Sequence, residues 1–294
     1  MRLDSQRLAL KIRGFDISAK RWGWAEMERV LVTGIPRSGT TLVTAMINDL
    51  DRSLCLSEPS RHVEWLEASS SRREYADRVI GDFDSVLAEI KRNGKVFDRR
   101  SADGASVTNY FERGPGGKVC EKFTVMEVSV TVEGEDFLLG FKHNAHYTGV
   151  LSEFADSGIP ILAIVRNPVD VILSWRSLTI PITFGRLPAA ERFWPEIAEI
   201  VQSDSDILQK QVRIYSLFTK RYLEFSGAVN VLRYEDIVEQ PAILAGHFGR
   251  LSSGTIAVNP VDSRLYPNSA ERDTIRRCLD RDGDPCIRSF YPDF

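Results

Sequence analysis

Short apolar runs alternate along this chain with longer stretches in which apolar side chains recur every three or four positions. The first run, Arg29 to Thr33 (RVLVT), is β-branched and ends in a glycine turn, which predicts a buried strand. Thr40 to Asp49 follows as a predicted helix, with Leu42, Met46 and Leu50 on one side. Ser53 to Ser57 predicts a second strand. Arg61 to Arg92 predicts a charged helix with apolar positions at Trp65, Val79, Phe83, Val86, Leu87 and Ile90. Residues 93 to 118 read as loop, broken by Gly114, Pro115, Gly116 and Gly117. Phe137 to Phe141 and Pro160 to Val165 (PILAIV) predict further strands, with a helix over His146 to Ser157 between them. Pro168 to Ser177 predicts a helix with proline in its first turn, and Ile207 to Phe225 a long one. A last strand is predicted over Ala228 to Leu232, with helical segments at Tyr234 to Val238 and after Pro241. Residues 1 to 28 read as a lead-in with a short helix around Trp22 to Glu28, and the tail beyond Val258 as irregular. Strands alternating with helices predict an α/β fold, a central parallel sheet flanked by helices on both faces.

Composition narrows the class. With 294 residues the chain is about as long as one large domain, and we expect a single domain over 1–294 with its core at about 29–250. A net charge of −3 and 43% hydrophobic residues exclude a disordered chain and a histone-like nucleic-acid binder, so no nucleic-acid partner is expected. The four cysteines form no CxxC pair, which argues against a zinc knuckle or a redox motif. The N-terminus lacks a signal-peptide core, and no apolar stretch approaches the ~20 residues of a membrane span, so a cytoplasmic location is expected. Of 38 basic residues nine are lysine and the rest arginine, whose planar fork suits phosphate and sulfate.

The first strand runs straight into Gly34-Ile35-Pro36-Arg37-Ser38-Gly39-Thr40-Thr41 and then a helix. Strand, glycine loop and helix are the context of an anion-cradling loop. The glycines have the spacing of a nucleotide P-loop, but Thr40 stands where an NTPase needs lysine. A P-loop kinase or NTPase therefore stays the alternative.

The segment Gly34 to Thr41 resembles the 5′-phosphosulfate loop of sulfotransferases that use 3′-phosphoadenosine-5′-phosphosulfate (PAPS), in the arginine form P-R-S-G-T-T found in tyrosylprotein, carbohydrate and many bacterial members. Arg166-Asn167-Pro168-Val169-Asp170 and Ser174, just after the PILAIV strand, match every defined position of the family's 3′-phosphate motif. Arg233-Tyr234-Glu235-Asp236 resembles its Y-E-D segment. Lys142 lies where members carry a lysine facing the sulfuryl group, although the usual nearby proline is missing.

The resemblance implies a P-loop-like sulfotransferase architecture and a PAPS-dependent enzyme with PAPS as co-substrate and adenosine 3′,5′-bisphosphate as product. It implies nucleotide contacts from Arg37, Ser38, Gly39, Thr40, Thr41, Arg166, Ser174 and Tyr234, charge neutralisation by Arg37 and Lys142, and no metal. The base implied by the tyrosylprotein-type relatives is Glu58, at the end of the second strand; His62, His143 and His146 are rivals. The cytosolic branch's C-terminal nucleotide motif is absent, and Arg272, Arg276 and Arg277 are candidates to complete the adenosine site. By family analogy the acceptor is a hydroxyl on a carbohydrate or glycolipid, with a small molecule or a peptide tyrosine as the other options.

Overall fold

A computed structural model describes residues 28–113, 119–132, 136–258 and 269–294. In chain order the elements begin with β1 (Arg29–Gly34), α1 (Thr40–Asn48), β2 (Ser53–Ser57), α2 (Ser60–Ala68), α3 (Arg72–Asn93) and β3 (Lys95–Arg100). They continue with β4 (Phe111–Arg113), β5 (Val119–Glu121), β6 (Thr124–Ser129), β7 (Leu138–Lys142), α4 (Ala145–Gly149), α5 (Leu151–Ala155), β8 (Ile161–Val165) and α6 (Pro168–Arg176). Then come α7 (Pro188–Glu191), α8 (Pro195–Gln202), α9 (Ile207–Glu224), β9 (Val229–Arg233), α10 (Tyr234–Glu239), α11 (Ala242–Phe248) and α12 (Ser269–Asp282).

Five strands form the central sheet in the order β2-β7-β1-β8-β9, and every neighbouring pair is parallel. Alternate residues feed two apolar layers. Leu31, Leu139, Phe141, Ile161, Ala163 and Val165 join Val79, Phe83 and Val86 of α3 and residues of α6 and α9. Val30, Val32, Leu138, Leu162, Ile164 and Leu232 face Val43, Met46 and Ile47 of α1 and Leu244 and Phe248 of α11. Burial on both faces explains why these strands read as continuous apolar runs.

The chain leaves β1 toward β2 on one side, whereas β8 leads to β9 on the other. The gap between β1 and β8 is therefore the topological switch point, where ligands of open α/β sheets bind beyond the strands' C-terminal ends. Gly34 sits opposite Ile164 in that pairing, so the loop after β1 and Arg166 after β8 flank the gap.

The five sheet strands stand where the pattern predicts them, within a residue or two. Four segments differ. The helix predicted over His146 to Ser157 is two short ones, α4 and α5, because Val150 leaves the helical conformation between them. The helix predicted over Arg61 to Arg92 is two helices, because Ser71 turns extended and caps α3 by accepting from Glu74 N at 3.1 Å. Residues 93 to 118 are not all loop: β3 pairs antiparallel with β6, and β4 with β5. The buried face of β3 is Val96, Asp98 and Arg100, with Asp98 and Arg100 ion-paired at 2.8 Å, so polar residues occupy the inward positions and hide the period-2 signal. The tail is not irregular throughout: α12 buries Ile275, Cys278 and Leu279 against α9, and a 3-10 turn follows over Pro285–Ser289. All but Glu28 of the expected helix around Trp22 to Glu28, the glycine-rich stretch 114–118 and residues 259–268 lie outside the described residues.

Candidate active site

The loop after β1 is shaped by what a side chain there would strike. A Cβ on Gly34 would fall 2.5 Å from Thr40 Cγ2 and 2.6 Å from Ile164 O. Gly39 has φ +96°, and a Cβ on it would lie 2.3 Å from Tyr234 Cδ2, so both glycines let backbone approach its neighbours closely. The first amides of α1 have no intrahelical acceptor, no side-chain cap and no acidic residue beside them, which leaves a positive helix end facing the gap. Ser38 braces the loop: its Oγ donates to Ile164 O at 2.8 Å and its amide to Ile35 O at 2.9 Å. Trp175 Nε1 of α6 holds Pro36 O at 2.8 Å from the other side.

Arg37 adopts φ 72°, left-handed for a non-glycine residue. Its Nε donates to Ser174 Oγ at 3.2 Å, its guanidinium to Asn109 Oδ1 at 3.1 Å, and it lies over the Phe111 ring. The resemblance placed Arg37 and Ser174 at opposite ends of a nucleotide; in the fold they touch, because α6 begins directly after the strand neighbouring β1. Arg166 is buried, reaches Arg37 O at 3.4 Å, stacks over Tyr234 at 4.8 Å and has an Nε with no hydrogen-bond partner. Tyr215 Oη donates to Arg166 O at 2.6 Å and fixes the backbone there. Arg166, Ser174, Arg37 and Tyr234 thus form one cluster at the switch point.

A second cluster lies at the ends of β2 and β7. Ser57 and Lys142 are register partners, and Glu58 N donates to Lys142 O at 2.8 Å. Glu58 itself has φ 51°. Its Oε1 accepts from Lys142 Nζ at 2.7 Å and its Oε2 from Arg99 at 2.6 Å. Burial works to raise the Glu58 carboxyl, but Lys142 and Arg99 outweigh it and hold the group below its ordinary range. Lys142 is fully buried over the Tyr110 ring; burial would lower it, yet Glu58 keeps it raised. A carboxylate ionised at neutral pH and a charged lysine thus stand side by side.

A family model described as "Sulfotransferase domain" matches residues 27–244, nearly three quarters of the chain. The chain belongs to the sulfotransferase domain family. No curated protein matches it. A crystal structure titled as a sulfotransferase from Alicyclobacillus acidocaldarius aligns over 88% of this chain and 98% of that one, at 12% identity and a TM-score of 0.34, too low to support any argument.

The three rival histidines are all buried. His62 is sealed in the core, with Nε2 on Asp82 at 2.8 Å and Nδ1 on Tyr147 Oη at 2.7 Å, and Asp82 also holds Arg61 at 2.8 Å. Both of its nitrogens are spent, which removes it as a base. His143 and His146 stack face to face with centroids 3.7 Å apart. Burial pushes both below the ordinary histidine range, His146 to about 4, so both are neutral near pH 7. Among the described residues no group of three potential ligands could hold a metal ion, and no helix is long and apolar enough to cross a membrane.

Of the tail arginines, Arg272 reaches Asp170 of the 3′-side motif at 2.9 Å, while Arg276 and Arg277 pair within their own helix. Arg99, Tyr110 and Asn109 escaped the sequence reading. They lie in the stretch 93–118, where the polar inner positions of β3 mask the strand that carries Arg99.

Proposed function

We propose that the chain is a single-domain enzyme transferring a sulfuryl group from PAPS to an acceptor hydroxyl borne by a carbohydrate, a glycolipid or a small molecule. The observation that carries this reading is the pairing of the glycine loop with Arg166 across the β1–β8 gap. The residues fit the donor on two counts: the buried Arg166 Nε is unpartnered and the α1 amides are uncapped. Bound there, the donor supplies an activated sulfuryl group whose leaving group is a phosphate.

The chain's own residues do the rest. Arg166, Ser174 and Tyr234 hold the 3′-phosphate side, and Arg37 through Thr41 hold the 5′ side. Lys142 and Arg37 offset the negative charge that spreads during transfer. Glu58 accepts the acceptor's proton at a carboxylate oxygen, positioned by Lys142 and Arg99. A P-loop kinase or NTPase is the weaker reading, since Thr40 replaces the lysine it needs.

Adenosine 3′,5′-bisphosphate should stabilise the full chain without magnesium, by roughly 2.7 kcal/mol at a hundredfold excess over Kd. Thermal unfolding reads this directly. Stabilisation by Mg-ATP alone would reverse the assignment.

A further inference from the structure

Asn109, Tyr110 and Phe111 are consecutive, yet between them they touch both clusters of the site. Asn109 Oδ1 accepts from the Arg37 guanidinium at 3.1 Å and from Phe111 N at 3.3 Å, and the same guanidinium lies 5.2 Å over the Phe111 ring. Tyr110 reaches the other cluster. Its hydroxyl shares a hydrogen bond with Ser57 Oγ, and its ring underlies Lys142 Nζ at 4.9 Å and the Arg99 guanidinium at 5.4 Å. Strand backbone sends successive side chains to opposite sides in this way, and Phe111 opens β4. Lys122 N donates to Tyr110 O at 2.9 Å, and the Tyr110 and Phe123 rings pack with centroids 4.7 Å apart, so the chain after β5 fixes the tyrosine.

Sheet order gives such a bridge its use. Arg37 follows β1 and Glu58 follows β2, and β7 stands between those strands, so their ends lie two strand spacings apart, about 10 Å. Sulfuryl transfer requires the arginine and the base to be held in one geometry about the reacting atoms. A cation over an aromatic face is attracted by the ring, more strongly where water is excluded. Lys142 is wholly buried and Tyr110 nearly so.

We propose that Asn109, Tyr110 and Phe111 form a positioning strap that aims Arg37 at the donor and Lys142 and Arg99 at the Glu58 carboxylate. The inference rests on the sulfotransferase reading and adds residues outside its motifs. The charged and titratable groups around Glu58 are Lys142 of β7, Arg99 of β3, His146 of α4, Tyr110 and, across the neighbouring cavity, Arg61 and Glu64 of α2 and Glu89 of α3. Lys142 and Arg99 are the two that hold the carboxylate, and both lie over the Tyr110 ring.

The test reads each cluster separately on the full chain and needs no acceptor. Calorimetry gives the Kd of adenosine 3′,5′-bisphosphate. Carbon-13 NMR of the labelled Glu58 carboxyl, assigned with Glu58→Gln, gives its titration. Asn109→Ala should weaken the nucleotide about tenfold and Phe111→Leu about threefold, with the Glu58 titration in place. Tyr110→Leu should leave the nucleotide Kd unchanged and move the Glu58 titration up by about one pH unit, because the cations that favour the carboxylate lose their ring. Tyr110→Phe keeps the ring and should restore the parent titration. A ring-fluorinated phenylalanine at position 110 keeps the shape but weakens the negative face, and should move the titration as Tyr110→Leu does. It replaces the leucine variant if that one does not fold. A merely structural role would move both readouts together in every variant. That result, or an unmoved nucleotide Kd in Asn109→Ala, or an unmoved Glu58 titration in the fluorinated chain, would overturn the proposal. Failure of the parent chain to bind the nucleotide would instead sink the donor reading, while the Glu58 titration still tests Tyr110.

Discussion

Glu58 and Lys142 leave neighbouring parallel strands at the same level and meet at 2.7 Å, Lys142 donating to Glu58 Oε1. The lysine is wholly enclosed and the glutamate side chain is 19% exposed. Such a pair is sensitive to loss of one partner, because the survivor is left as an uncompensated buried charge.

Glu58→Gln should therefore destabilise the chain by about 3–5 kcal/mol in urea unfolding, and adding Lys142→Met should recover much of the loss. The single variant should also lose about 10²–10⁴ in turnover while binding adenosine 3′,5′-bisphosphate normally. Full activity in Glu58→Gln would show that the base lies elsewhere.

Arg99 is the second cation on that carboxylate, itself held over Phe123 at 4.6 Å. The acid limb of kcat/KM against pH follows ionisation of the base in the free enzyme. With Arg99 removed, the carboxylate loses a stabilising partner and its pKa rises. Arg99→Gln should move the acid limb to higher pH, and an unmoved limb would exclude Arg99 from positioning the base.

His146 connects stability to pH. Burial lowers it from 6.5 to about 4, so between those values the unfolded chain binds a proton that the folded chain does not. Its contribution is present above pH 6.5 and is lost as pH falls toward 4. The slope for one proton is about 1.4 kcal/mol per pH unit. Urea unfolding at stepped pH should show a shallower fall in His146→Gln than in the parent chain; identical slopes would refute the account.

Gly39 and Tyr234 form a double-mutant cycle. Gly39→Ala places a methyl group against the Tyr234 ring and also strains the φ of +96°, and should cost about 1–3 kcal/mol and most nucleotide affinity. Tyr234→Ala removes the clash but not the strain, so the double variant should be more stable than the sum of the singles. Strict additivity would mean that the ring does not limit residue 39.

Much of the fold was legible because both faces of the central sheet are buried. Its strands carry apolar runs, unbroken in β8 (Ile161–Val165), and that signal survives without knowledge of neighbours. The anion loop was legible because it is local: a strand, two glycines and a helix start within a dozen residues. Where inward positions are polar, as at Asp98 and Arg100, or where a helix buries only Ile275, Cys278 and Leu279, the pattern falls silent.

By itself the sequence determined the alternating α/β order, the two loops that end β1 and β8, and the residue types able to hold an anion. Tertiary structure alone decided which of those residues meet. Parallel register brings Glu58 to Lys142 across 84 positions, the ribbon carries Arg99 onto the same carboxylate, and strand adjacency sets Arg37 against Ser174 across 137. The reason is physical. Local sequence governs backbone conformation and which face is apolar, but contacts between distant charges depend on strand order and on burial from water, which no window along the chain contains.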